Sequence, residues 1–148
     1  MTKLVRNMLL ALLTGVMTLP AFVLAAEEKP FAEHKVVLQI SDSDPAKQTL
    51  VLNVANNLLK AYGVDKVDVE IVAFGPGLNL LLADNANASR IDGLAGSGVR
   101  FAACQNTLAA MTKELGREPA LNPHATRVSA GVVRIIDLTG QGYTLIRP

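Results

Sequence analysis

From Lys35 to the C-terminus, short apolar runs alternate with segments of helical length, and this alternation restricts the possible folds more than any other feature. Lys35–Ile40 (KVVLQI) is rich in β-branched residues and is bounded by SDSDP, the pattern of a buried strand. Asp44 followed by Pro45 predicts a helix start, with a capping carboxylate and a proline at the first helical position. Leu50, Val54 and Leu58 fall on one stripe, with Val51, Ala55, Leu59 and Tyr62 beside it, and Gly63 is a natural stop. Val67–Ala73 (VDVEIVA) alternates, with Asp68 and Glu70 on one face. That pattern predicts a solvated face and a place at a sheet edge.

The turn Phe74-Gly75-Pro76-Gly77 leads to two short helical segments, Asn79–Ala83 and Ala86–Ala95. Val99–Ala103 (VRFAA) reads as a buried strand, and Asn106–Leu115 has helical spacing through Leu108, Met111 and Leu115. After the loop Gly116–Pro123 come a short strand at Thr126–Ser129 and a helix at Gly131–Leu138, with Val132, Ile135 and Ile136 inward. Tyr143–Ile146 is the last strand. Strands separated by helix-length segments need crossover connections, so the expected class is α/β with a five-stranded, mostly parallel sheet.

The start of the chain has a different character. Lys3 and Arg6 are the only charges before Glu27, and Met8–Ala26 is almost wholly apolar. A basic start, an apolar run and a small-residue end make a secretory signal peptide. Val23 and Ala25 occupy the two positions a signal peptidase reads, so cleavage is expected after Ala25, with Ala26 as the second choice. An uncleaved anchor is the other reading. The run barely reaches the ~20 residues of a membrane span, and Thr14, Gly15, Thr18 and Pro20 weaken it. The expected organisation is a signal peptide over 1–25 and one α/β domain over 26–148. In a bacterium the destination is the periplasm, with no stable membrane anchor after processing.

Removing Lys3 and Arg6 from the 14 basic residues leaves 12 against 13 acidic ones, a net charge of −1. Half of the chain is apolar, which excludes intrinsic disorder. The near-neutral balance argues against a nucleic-acid partner. One cysteine excludes an internal disulfide and any multi-cysteine metal or iron–sulfur site.

Ligands of open parallel sheets bind outside the carboxyl ends of the strands. Ser41–Asp44, Phe74–Asn79 and Cys104–Thr107 lie there. A thiol between a strand end and a helix start faces unpaired N–H groups and the positive end of a helix dipole, and both favour the thiolate. Gln105, Asn106 and Thr107 offer further hydrogen bonds to Cys104. A small buried hydrophobe is the other reading of this cysteine. Gly75 and Gly77 would let the backbone approach an anion, although the loop lacks the spacing of a P-loop, and a simple turn is the plainer account. Capping explains the acidic Ser41–Asp44 segment without a metal. His34 and His124 each stand alone and read as surface residues, with approach to Cys104 in space as the alternative. Arg90, Arg100, Arg127 and Arg134 read as solvated surface, with an anionic ligand as the alternative. Leu78, Leu80, Leu81 and Leu82 lie outside the obvious core stripes and suggest a subunit contact.

The segments GVRFAACQNTL (98–108) and SAGVVRIIDLTGQGYTLIRP (129–148), with the FGPG turn, resemble the DsrE/DsrF-like family over Lys35–Pro148. The resemblance implies a flavodoxin-like three-layer α/β/α fold without a flavin or other cofactor. It implies a homo-oligomer, often a trimer or hexamer, and a cysteine that carries sulfane sulfur as a persulfide. Cys104 stands where that cysteine stands. The expected function is therefore a periplasmic sulfur carrier acting through Cys104, with Gly75, Gly77, Asn106 and Thr107 around the substrate. Its partners would be a sulfur donor and an acceptor, each a protein or a small thiol. A non-enzymatic ligand-binding or scaffold protein is the alternative, and a metal protein using Cys104 and His124 the third option.

Overall fold

A computed structural model describes residues 27–148, so the predicted signal peptide lies outside the described residues. The strands are β1 (His34–Ile40), β2 (Val67–Ala73), β3 (Arg100–Cys104), β4 (Ala125–Val128) and β5 (Thr144–Ile146). The helices are α1 (Pro45–Tyr62), α2 (Ala88–Gly96), α3 (Gln105–Leu115) and α4 (Gly131–Gly140). A 3-10 turn over Gly75–Leu81 replaces the predicted helix at Asn79–Ala83. The α1 start is as the sequence dictates: Asp44 Oδ1 accepts from the Ala46 N–H at 2.8 Å, with Pro45 at the first position.

The sheet order is β4-β3-β2-β1-β5, and every pair is parallel. The first three crossovers step in one direction across the sheet. Being right-handed, they put α1, α2 and α3 on the same face. The fourth runs back past β1 to β5, so α4 lies alone on the opposite face. Period-two strands then feed two cores. Val36, Leu38, Ile40, Val69, Ile71 and Phe101 join Val51, Leu52 and Ala55 of α1 in the larger one. Val37, Val72 and Ala102 join Ile135, Leu138 and Tyr143 in the smaller. The result is a flavodoxin-like three-layer α/β/α fold.

Several expectations are corrected. β2 is the central strand and all seven of its residues are buried. Its alternating acids meet the buried Arg100 and the partly buried Arg134 rather than water. On α1 the core face is Val51, Leu52, Ala55 and Leu59, and Leu50 is exposed. On α4 only Ile135 of the predicted trio is buried, and Val132 and Ile136 face outward. Leu78, Leu80 and Leu81 are fully buried in the larger core, so they form no surface patch. That burial follows from Gly77. A Cβ there would meet the carbonyl oxygen of Ile40, its carbon at 2.6 Å and the Ser41 nitrogen at 2.7 Å. Only glycine lets the 3-10 turn seat directly on the end of β1.

Candidate functional site

Cys104 is the last residue of β3 and immediately precedes α3, so strand passes to helix without a loop. The first N–H groups of a helix have no partner within it, and those of Asn106 and Thr107 help to lower the thiol pKa. The register sets Val128 of β4 beside Cys104, and α4 begins at Gly131 shortly afterwards. Its N–H acts on the sulfur from the other side and lowers the thiol pKa. Two helix N-termini therefore converge on one thiol, and both dipoles favour negative charge there.

Burial is the largest single influence on Cys104 and pushes its thiol pKa up. The Thr107 hydroxyl and the N–H groups of Gly131, Thr107 and Asn106 together outweigh it and hold the pKa below the ordinary thiol value. Thr107 is itself fixed: its Oγ1 accepts from the Gly75 N–H at 2.8 Å, which leaves the hydroxyl proton for the sulfur. Cys104 is 5% exposed.

Of the sequence-predicted residues, Gly75, Asn106 and Thr107 thus gather about Cys104, while Gly77 is taken up by its contact with β1. Gly131 was missed, because its contribution depends on where the fourth crossover starts. Asp42 and Asp44 are used in turn and cap, with Lys47 Nζ 2.5 Å from Asp42 Oδ2. His34 stacks on Tyr62, with ring centres 3.9 Å apart, and His124 Nε2 lies 3.4 Å from Asp92 Oδ1. Both histidines stand at the amino end of the sheet. Cys104 is at the carboxyl end, about 13 Å away along a four-residue rise. The predicted alternative of a shared Cys104–His124 metal is therefore ruled out by the topology. Among the described residues no group of three or more His, Cys, Asp or Glu side chains is placed to hold a metal ion.

Arg90 donates to Asn53 Oδ1 at 2.7 Å, and Arg127 pairs with Glu118 at the surface. Arg100 and Arg134 are not surface charges. Arg100 lies on the same face of β3 as Cys104, at the other end of the strand. Its Nη2 donates to Asp68 at 3.2 Å and to the Tyr143 hydroxyl at 2.8 Å, and its Nη1 lies 2.9 Å from Glu70 Oε2. Arg134 grips Glu70 with two bonds of 2.7 Å. The Tyr143 hydroxyl donates to Asp68 Oδ2 at 2.5 Å. Burial, with the Asp68 carboxylate, holds the Tyr143 pKa above the ordinary tyrosine range. Removing one member of such a buried set leaves a charge uncompensated, at a cost of about 3–5 kcal/mol.

A parallel five-stranded sheet with a thiol held between two helix N-termini defines an α/β protein of the flavodoxin-like class with a strand-end cysteine site. Among solved structures the chain is similar to the protein of unknown function MTH1491 from Methanobacterium thermoautotrophicum, with a TM-score of 0.69 and 32% identity. The likeness covers 78% of this chain and 99% of that one, and the chain belongs to the family of that protein. No family model and no curated protein matches the chain.

Proposed function

We propose that the protein is a sulfur carrier holding sulfane sulfur as a persulfide on Cys104, as in the DsrE/DsrF-like proteins it resembles. The observation that supports this reading is the set of donors around one sulfur, from Thr107, Asn106 and Gly131, which outweighs burial and favours the anion. The thiolate is the nucleophile such a transfer needs. It attacks the outer sulfur of a donor persulfide. A new Sγ–S bond forms, the donor's S–S bond breaks, and its electron pair leaves on the donor thiolate. An acceptor thiolate then takes the outer sulfur and returns Cys104 to the thiolate. Sulfur passes as a neutral atom between thiolates, so no oxidant or reductant enters. The groups that favour the thiolate also favour the persulfide anion.

Gly75, Asn106 and Thr107 are the binding residues of this proposal. Export to the periplasm belongs to it as well, resting on Lys3, Arg6 and the apolar run that follows. Among the described residues no helix is long and apolar enough to cross a membrane. Assembly into a trimer or hexamer is the last part, supported by the exposed Val132, Val133 and Ile136.

Mass spectrometry after incubation with polysulfide tests the carrier reading. Added sulfur on Cys104, absent in Cys104→Ala, is expected. No added sulfur while the thiol remains free would count decisively against it. The near-complete burial of Cys104 favours a second reading, a non-enzymatic scaffold in which the sulfur only packs. Alkylation of the native protein separates the two: rapid modification fits the carrier, and protection until unfolding fits the scaffold.

A further inference from the structure

The opposite end of the α4 face holds a second feature that the sulfur chemistry does not use. α4 packs mainly across β1, β2, β3 and β5, which leaves the face of β4 open. A cleft of about 350 Å³ lies there, and its lining includes Arg100, Arg134, Thr126, Ala102 and Val128 but not Cys104. Arg100 is nine-tenths buried, and its Nε meets no acceptor among the described residues.

One oxygen of Glu28 sits across the mouth, 3.2 Å from Arg100 Nη1 and 3.2 Å from Arg134 Nη2. The Glu28 side chain is half exposed, so it covers the two guanidinium groups without being built into the core. The neighbouring Lys29 is what fixes this segment. Its backbone N–H donates to Asp68 Oδ2 at 3.0 Å. Its ammonium donates to the carbonyls of Val64, Val67 and Ser97. A Cβ on Gly98 would stand 2.7 Å from the Lys29 side chain, so the glycine makes the passage.

The geometry points to a binding cleft for a small monocarboxylate with a short apolar tail, in which Glu28 of the same chain is the present occupant. Paired guanidinium groups are matched to a carboxylate. Beyond them Ala102 and Val128 supply an apolar wall, and Thr126 a hydroxyl. Charge selects a monoanion. Arg100 and Arg134 are already balanced by Asp68 and Glu70, Glu27 also lines the cleft, and Glu28 puts one negative charge against the two guanidinium groups. A ligand that replaces Glu28 with one charge of its own leaves that balance as it is. A dianion adds a second charge beside two buried carboxylates and is disfavoured. Because Lys29 holds the segment independently, removing the Glu28 carboxylate opens the arginines without releasing the chain. This inference does not depend on the role of Cys104.

Butyrate is the probe, and the side-chain Nε–H signals of Arg100 and Arg134 in nuclear magnetic resonance are the readout. In Glu28→Ala both signals are expected to shift saturably with butyrate. The wild type should bind about fivefold more weakly, the worth of a half-solvated ion pair that must first be displaced. Arg134→Gln added to Glu28→Ala should abolish the shift, and phosphate should bind more weakly than butyrate. Glu28→Gln keeps the arm and removes only the charge, so it repeats the test should Glu28→Ala disturb amide signals outside the cleft. Three results would overturn the inference: no saturable shift in either variant, equal binding by wild type and variants, or phosphate binding as tightly as butyrate.

Discussion

At the scale of single residues, Thr107 is the side chain on which the Cys104 chemistry turns. It accepts from Gly75 and is the side chain that lowers the Cys104 pKa, so one hydroxyl ties the turn after β2 to the chemistry at the end of β3. Thr107→Val is expected to raise the midpoint of a plot of alkylation rate against pH, while Thr107→Ser preserves it. The same substitution strands the Gly75 N–H, at a cost of about 1–3 kcal/mol. The sign of the pH effect on folding follows. A thiol whose folded pKa is depressed adds stability above the unfolded pKa, and that stability is lost as pH falls through the folded value. Thr107→Val should flatten this rise at alkaline pH, which urea titrations at several pH values would measure.

Cys104, Asn106 and Thr107 were legible in the sequence because they are chain neighbours and the strand-to-helix junction alone sets their geometry. Gly131 was not, since its place beside the sulfur depends on the start of a helix on the other face of the sheet. Asp68 and Glu70 misled for a related reason. Alternation states which residues share a face, and it is silent on whether that face meets water or two arginines. Arg100 and Arg134, 32 and 64 residues from those acids, carried no local mark of the pairing.

At the scale of elements, the 3-10 turn decides how closely the β2–α2 connection packs. Gly77 lets Leu78, Leu80 and Leu81 enter the larger core by bringing the turn against β1. Gly77→Ala drives a methyl group into backbone atoms that cannot swing aside, so a loss of about 3 kcal/mol is expected in urea unfolding. The four leucines suggest a surface patch in the sequence because they lie outside the obvious core stripes. A 3-10 turn beginning four residues earlier instead carries three of them inward. The strands were more legible than the helix faces. A strand in a covered parallel sheet is marked by composition, whereas the orientation of α1 and α4 depends on the neighbours each helix meets.

At the scale of the molecule, the two faces of the sheet are unequally covered. Three helices protect one, and α4 alone protects the other while turning Val132, Val133 and Ile136 outward. An exposed apolar row on a lone helix is a surface that self-association would cover. Light scattering is expected to give the mass of a trimer or hexamer, and Ile136→Glu to reduce it. A wild-type monomer at micromolar concentration would remove the oligomer from the proposal.

The convergence of α3 and α4 on Cys104 has a further consequence. Gly131 opens the helix beside the sulfur and supplies one of the amides that make it acidic, and a Cβ added to it would stand 3.0 Å from the Phe74 side chain. Any motion that lifts the first turn of α4 to admit a reactant also withdraws one of the activating dipoles. Reach and reactivity are thus in opposition at this atom: the conformer in which the sulfur is most potent is the one that conceals it.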